Sequence, residues 1–345
     1  GPEGFARHPV GTGPFRLAEW NPVTRTVLIA NEGYFGTPAH LDSVILDHAI
    51  SERQELVKQA FLAGVLNGIQ VRENELAALM RHREYPVVRR LELSLDFIGF
   101  SVNTPPFDDV RVRKALAMAL DRDELSRAVG AGFHVPTGLL PPGMPGYSPE
   151  SKIPPSNIHE ARRLLAEAGY CPAHPLRFEL LTASRTRHAQ VRDSVIVAML
   201  ARVDVYPEVR KASWLELNEA VQRRQAAAFE LSWIADLPDP DSFLFTLLDS
   251  RGYYNIFGYS NQWVDSLLEA GGNEANQGER LLLYREAERL VLADVPIIPI
   301  FNVLTLFAFQ PDVRGVEMAP YGICSVPMEK IWLEQQPGEA VHAGF

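Results

Sequence analysis

Leu231-Ser232-Trp233-Ile234-Ala235-Asp236-Leu237-Pro238-Asp239-Pro240-Asp241-Ser242-Phe243-Leu244 holds a strand, a stop and the start of a helix in one run. With Phe229 before it, the apolar segment up to Ala235 predicts a buried strand. Pro238 and Pro240 then end regular structure, because proline lacks the backbone donor and fixes its own dihedral. Asp241 or Ser242 can cap a helix over Phe243, Leu244, Leu247 and Leu248. Trp233 and Asp236 therefore fall where a strand leaves the core, a frequent position for ligand-contacting groups in α/β folds. An indole beside a carboxylate suits a ligand with a flat or apolar part and a cationic group. The competing reading makes Asp236 a turn residue and Trp233 a core filler.

The flanking chain alternates in the same way. Upstream lie a strand at Leu176 to Thr182, a helix at Val191 to Val203, a strand at Val205 to Val209 and a helix at Trp214 to Arg223. Downstream, amphipathic helices are expected over Gln262 to Glu269 and Glu279 to Asp294, then strands at Ile297 to Phe301 and Thr305 to Gln310. Nearer the N-terminus, Phe15 to Trp20 and Thr26 to Ala30 read as a hairpin, with a third short strand at Val44 to Leu46. Ser51-Glu52-Arg53-Gln54 matches a capping box opening a helix to Leu62. Leu76 to His82 reads as a short helix and Leu91 to Val102 as a strand. Asp109 precedes the helix Val110 to Leu120, Asp121 with Glu124 caps a second, and Asn157 with Glu160 caps a third that ends at Gly169. Alternating helices and strands give an α/β class with mixed sheets.

The chain has 345 residues, 46% hydrophobic and 22% charged, enough for two or three lobes with real cores. Its net charge of −10 and pI near 5.5 argue against nucleic acid, which needs a basic stripe. The two cysteines, Cys171 and Cys324, have no metal-binding spacing, and whether they pair stays open. The longest apolar stretch, Val295 to Phe309, is interrupted by Pro296, Pro299 and Asn302 and is too short to span a bilayer.

No GxSxG elbow, HExxH helix, Walker loop or GxGxxG fingerprint occurs. The nine histidines show no metal-ligand spacing, so neither a metal nor a cofactor is expected. Asp236, Asp239 and Asp241 are compatible with an acid/base pair, with a hard-cation loop, or with plain turn and capping roles. Arg185 and Arg187, just beyond the strand ending at Thr182, are candidates for clamping a carboxylate, against a solvated loop as the alternative. Trp214, opening a helix, is either a site wall or a core anchor.

Four stretches carry a resemblance to the family 5 extracellular solute-binding proteins, the dipeptide- and oligopeptide-binding components of ABC importers. Val10-Gly11-Thr12-Gly13-Pro14-Phe15-Arg16-Leu17 is similar to the family's entry to a hairpin. Asn103-Thr104-Pro105-Pro106-Phe107-Asp108-Asp109-Val110-Arg111-Val112-Arg113-Lys114-Ala115, through Asp121-Arg122, resembles its most recognisable signature. Trp233 to Leu244 looks like its ligand loop. Asn255 to Leu267, with Tyr284 to Ile300, is similar to its late helices and closing strand.

The resemblance implies a two-lobed periplasmic-binding-protein-like fold (type II, peptide-binding cluster) that closes on a short peptide and presents it to a membrane permease. In such proteins the aspartate of a Trp-x-x-Asp segment pairs with the ligand amine, and Asp236 stands there. Trp214 and Trp233 keep the family's spacing of pocket tryptophans. Arg185, in Thr182-Ala183-Ser184-Arg185, matches the carboxylate site of the dipeptide-binding branch, with Arg187 as the other candidate. The lobes implied are 1–103 as the remainder of lobe I, 104–299 as the second large lobe carrying the ligand loop, and 300–345 as the return to lobe I and tail. The pattern also implies that lobe I is incomplete, its N-terminal strands and a small lobe preceding Gly1 as a further segment or chain. A periplasmic or extracellular, lipid-anchored location follows from the resemblance, as does a binding rather than enzymatic role. A departure stands at Val65-Leu66-Asn67, where the family carries an acidic residue. The rival functions are a ligand-sensing domain of a regulatory protein and, further off, a hydrolase using the aspartate cluster. Nickel complexes, opines and sugars are also ligands within the resembled family.

Overall fold

The computed structural model describes residues 9–318 and 326–334, apart from residues 52, 72, 131 and 185. The chain divides into two compact units, one made of residues 1–90 and 305–345, the other of 91–304.

In the first unit, β1 (Phe15–Asn21), β2 (Arg25–Ala30) and β3 (Ser43–Asp47) form a three-stranded antiparallel sheet. The expected hairpin is present, with Phe15 opposite Ala30 and Asn21 opposite Arg25, and an irregularity between Leu17 and Glu19. Asn21 makes the turn by accepting the amides of Val23 and Thr24 on its side-chain oxygen, as asparagine does in such turns. Next come α1 (Gln54–Leu62), β4 (Gly68–Val71), α2 (Glu73–Leu79) and β5 (Val87–Leu91). The capping box expected at Ser51 does not form. Arg53 occupies the cap position without a side-chain bond, and the Ser51 hydroxyl donates backward to the His48 carbonyl, closing a turn instead.

The second unit carries the larger sheet. The run expected as one strand from Leu91 is broken at Glu92, and β6 covers Ser94–Phe100. It is followed by α3 (Val110–Ala119), α4 (Arg122–Val129), β7 (Phe133–His134), α5 (Ile158–Glu167), β8 (Leu176–Thr182), α6 (Arg187–Ala201), β9 (Val205–Lys211), α7 (Trp214–Gln222), β10 (Ala228–Ile234), α8 (Leu244–Leu248), α9 (Gln262–Asn273), α10 (Gln277–Asp294) and β11 (Ile297–Phe309). The short β12 (Val313–Arg314) and β13 (Trp332–Leu333) pair in the first unit.

Capping fixes most helix starts where the sequence places them. The side chains of Asp109, Asp121 and Asn157 accept the amides of Arg111, Glu124 and Glu160. Gly169, with φ of +94°, ends α5 in the left-handed region that favours glycine. The core of this unit packs α3, α5 and α6 against the sheet through Phe100, Phe107, Leu116, Leu165, Ile196 and Met199. Phe107 stacks on Phe100 at 4.6 Å and meets the edge of Phe178 at 5.1 Å. Burying each such side chain contributes about 1.5–3 kcal/mol.

Strand order in the second unit runs β11, β6, β10, β8, β9. The pairs β11 with β6 and β6 with β10 are antiparallel, whereas β10 with β8 and β8 with β9 are parallel. β8 thus lies between β10 and β9. The chain leaves β8 through α6 to reach the edge strand β9, then returns through α7, past β8, to β10. Connections that diverge in this way leave a crevice at the carboxyl ends of the strands.

Candidate functional site

Arg185, Arg187, Trp214 and Asp236 follow the carboxyl ends of three adjacent parallel strands, and Trp233 is the penultimate residue of one of them. β8 ends at Thr182, ahead of residues 185 and 187; β9 ends at Lys211, ahead of Trp214; β10 ends at Ile234, ahead of Asp236. The register sets Thr182 level with Lys211 on one side, and Leu181 level with Phe229 on the other. β10 therefore continues past the end of β8, so Trp233 and the turn after it project beyond its neighbour. The edge-to-edge placement comes from topology and needs no particular side-chain rotamer.

Trp233 is half-buried rather than a core filler. Its indole Nε1 donates to the Ser242 carbonyl at 2.7 Å, and its ring meets Tyr254 edge-on at 5.0 Å, with Tyr253 edge-on to Tyr254. Asp236 is exposed; its backbone amide donates to Ser242 Oγ at 3.2 Å, and among the described residues its carboxylate has no partner. Ser242 thus holds both sequence-predicted residues, one through its carbonyl and one through its hydroxyl. Trp214 is the first residue of α7 and is 64% exposed. It is neither a core anchor nor, among the described residues, in ring contact with Trp233. Arg185 lies outside the described residues. Arg187 opens α6, a helix capped by Thr186, and its side chain is also outside them.

The loop after Asp236 is braced from behind. Asp239, not Asp241 or Ser242, is the capping residue: it accepts the Asp241 amide at the start of a 3-10 turn over Pro240–Ser242. Phe243 then begins α8 without a side-chain cap. Arg280 of α10 donates to Asp239 at 2.8 Å and lies 3.4 Å from Asp241, and its guanidinium stacks over the Tyr284 ring at 4.7 Å. Tyr284 in turn donates its hydroxyl to Asp241 at 2.5 Å. Burial opposes ionisation of Asp239, but the Arg280 and Asp241 hydrogen bonds outweigh it and hold the carboxyl below its usual range. Two of the three clustered aspartates are therefore engaged, leaving Asp236 as the one whose carboxylate has no partner among the described residues.

Ser242 and Tyr254 carry no sequence signal beyond their neighbourhood. Glu230 does: it is a carboxylate inside a buried strand, between Phe229 and Leu231, and ionisable residues are rarely buried unless they are paired. Among the described residues no group of three or more histidine, cysteine or acidic side chains is arranged to hold a metal. Cys171 is exposed with a free thiol, and Cys324 lies outside the described residues. No helix among the described residues is long and apolar enough to cross a membrane.

The strand carboxyl ends thus bring an aromatic pair, Trp233 and Tyr254, close to the exposed carboxylate of Asp236. Comparison with known proteins gives the family: residues 1–255 match the model of the bacterial extracellular solute-binding proteins, family 5 (middle region), and the chain belongs to that family. Heme-binding protein A of Haemophilus influenzae is 29% identical over 330 residues, covering 93% of this chain and 59% of that protein. The dipeptide-binding protein of Pseudomonas aeruginosa is 26% identical, covering 94% of this chain and 63% of its own length. The chain thus spans about three fifths of the length of the curated relatives it matches. Among solved structures, the ABC transporter substrate-binding protein CtaP of Listeria monocytogenes superposes with a TM-score of 0.83 at 19% identity, over 95% of this chain and 68% of that one. The Helicobacter pylori periplasmic binding protein DppA, in complex with the peptide STSA, gives 0.81 at 24% identity, over 95% and 64%. These neighbours share the mixed α/β fold.

Proposed function

We propose that this chain captures short peptides for an ABC importer, recognising the ligand's ammonium end through Asp236. The observation that carries the reading is the exposed carboxylate of Asp236, without a partner among the described residues, tied through Ser242 to the half-buried indole of Trp233 at the end of β10. A peptide brings both complements, a cationic amine for the carboxylate and a flat backbone for the indole. Trp214 supplies a second wall, and Arg185 or Arg187, at the exit of β8, takes the ligand's carboxylate.

The names of related proteins span several ligand classes, including haem, deoxycholate and dipeptides. Charge favours the last. Haem and deoxycholate carry carboxylates for Arg185 or Arg187 but no amine for Asp236, whereas a peptide carries both end groups. Recognition of end groups tolerates varied side chains, as a general importer requires.

The remaining features fit a binding protein. Asp239 and Asp241 are engaged by Arg280 and Tyr284, so the cluster has no free acid/base pair for hydrolysis. The division expected from the sequence, with 104–299 as the lobe carrying the ligand loop and 1–103 and 300–345 as parts of lobe I, is retained in this proposal. The partner is a membrane permease, and the place of work is outside the cytoplasmic membrane, as the family's designation as extracellular has it.

Calorimetric titration of the protein with a dipeptide panel, haem and deoxycholate tests the reading. Peptide binding with exclusion of the two anions is expected; tight binding of either anion, with no peptide binding, overturns it.

A further inference from the structure

Behind the candidate site lies a buried charge cluster that the ligand reading leaves unused. Arg192 of α6 pairs with Glu230 of β10 and, at 3.2 Å, with its neighbour Asp193; their side chains are 14%, 7% and 6% exposed. Asp193 also pairs with Lys211 at the end of β9, and Lys211 Nζ donates to the Ser184 carbonyl at 2.9 Å. Ser184 lies in the turn leaving β8, where its amide donates to Thr182 Oγ1. Across the sheet, Asp96 of β6 accepts from Ser232 of β10 and feels the same Arg192 charge. One unbroken chain of polar contacts thus runs from the strand bearing Trp233 to the turn at the exit of β8.

The charges do not balance. Asp96, Asp193 and Glu230 are three carboxylates against two cations, Arg192 and Lys211. Among the described residues Glu230 Oε1 is buried without a well-formed hydrogen bond, although the Thr182 side chain favours its ionised form; such burial is costly for an ionised carboxylate and much less so for a protonated one. Burial pushes Glu230 up to about 7, against the opposing pull of Arg192, and burial also raises Asp96. His188, a further titratable side chain of α6, sits one turn before Arg192 with its ring 6.3 Å from that of Phe133.

We propose that Glu230 is a positioning residue for ligand capture: through Arg192, Asp193 and Lys211 it holds the β8 exit turn against the strand carrying Trp233, and the hold depends on its proton. The ligand half of this statement rests on the peptide-capture reading; the mechanical half does not. With the proton bound, the cluster is neutral and the turn is fixed. Once it leaves, a buried excess of negative charge competes for Arg192 and Lys211, and the Lys211 bond to Ser184 weakens.

Hydrogen–deuterium exchange on the full chain, corrected for intrinsic rates, tests the mechanical half without any ligand. Between about pH 6 and about pH 8.5, protection of the amides following Thr182 is expected to fall about tenfold in the wild type. Glu230→Gln, isosteric with the protonated acid, is expected to hold its protection across that range. Lys211→Met, which removes the partly exposed ammonium and keeps the aliphatic stem, is expected to lose protection even at the lower pH. An identical pH response in wild type and Glu230→Gln, no response in the wild type, or wild-type protection in Lys211→Met overturns the proposal. Titration with alanyl-phenylalanine at both pH values separates the two readings. Affinity that falls with pH in the wild type but not in Glu230→Gln supports both. A protein whose exchange behaves as expected but that binds no peptide overturns capture alone, and pH-independent peptide binding with unresponsive exchange overturns positioning alone.

Discussion

Trp233 and Ser242 are joined across the loop that follows β10 by a 2.7 Å hydrogen bond from the indole nitrogen to the backbone carbonyl. The same serine accepts the Asp236 amide on its hydroxyl. One residue therefore sets the angle of the aromatic wall and the position of the carboxylate, and the two are not independent contacts.

Replacing Ser242 with alanine keeps the carbonyl and removes the hydroxyl. The Asp236 amide loses its acceptor at an exposed position, where water substitutes in part. A net hydrogen bond contributes about 0.5–1.5 kcal/mol, so peptide affinity is expected to drop several-fold, with thermal stability nearly unchanged. Calorimetry and a melting curve on the same preparation check this.

Arg280→Ala removes the brace behind the loop. The pairs with Asp239 and Asp241 are about 40% exposed on the acid side and count for little each, but the guanidinium is only 12% exposed and also covers Tyr284. A cost of about 1–2 kcal/mol in folding is expected from urea denaturation. Accelerated proteolysis is expected to begin near Pro238.

Glu288 is the buried residue that ties down the proline- and glycine-rich segment after Thr137. Its carboxylate accepts the amides of Leu139 and Leu140, at 2.7 and 3.1 Å, and the Ser151 hydroxyl at 2.6 Å. An added Cβ at Gly138 would come within 2.5 Å of the same carboxylate, so the segment approaches it closely. Glu288→Ala leaves three donors unsatisfied in the interior and is expected to destabilise the chain by about 3 kcal/mol, read by chemical denaturation.

Asp96, Glu230 and Glu288 all have raised pKa values in the folded chain, with burial the largest cause in each case. A raised carboxyl pKa means that the folded state binds the proton more tightly than the unfolded state. The stability this contributes is complete below the unfolded value near 4.5 and is lost as pH rises through the folded value, about 7 for Glu230. The melting temperature is therefore expected to decline from about pH 5 to about pH 8, by an amount equivalent to about 1–3 kcal/mol, and to decline less in Glu230→Gln. Scanning calorimetry across that range checks the sign. A melting temperature that rises over the same interval contradicts it.

Much of the fold was legible because local chemistry and tertiary structure agree. The alternation in Phe15 to Trp20 and Thr26 to Ala30 survives as β1 and β2, and Asp109, Asp121, Asn157 and Gly169 act where their side chains or backbone freedom suggest. Legibility failed where distant partners decide. Two strands, Ile297 to Phe301 and Thr305 to Gln310, are expected with a break around Asn302, yet β11 runs through as one strand. Asn302 donates its side-chain amide to the Ser94 carbonyl at 2.7 Å, and a register shift between Pro299 and Phe301 absorbs the proline. Glycine at 68 and the loop before it concealed β4, whose pairing with Leu306 to Phe309 lies far along the chain.

The site divides along the same line. Trp233 and Asp236 could be picked out because a strand stop beside proline is visible locally. The roles of Asp239 and Asp241 could not, since Arg280 and Tyr284 lie about forty residues away in sequence. The cluster around Glu230 draws on four strands and a helix, and only the oddity of a glutamate in an apolar run announced it.

The most direct test of the account is calorimetric titration of wild type and Asp236→Asn with a dipeptide carrying a free amine and with its N-acetylated form. Removing one partner of a charged contact costs about 2–5 kcal/mol when the contact is buried by the ligand. The wild type is expected to lose at least tenfold in affinity on acetylation, and Asp236→Asn to bind both forms equally and weakly. Equal affinity of the wild type for the two forms, or an unchanged affinity in Asp236→Asn, contradicts the account.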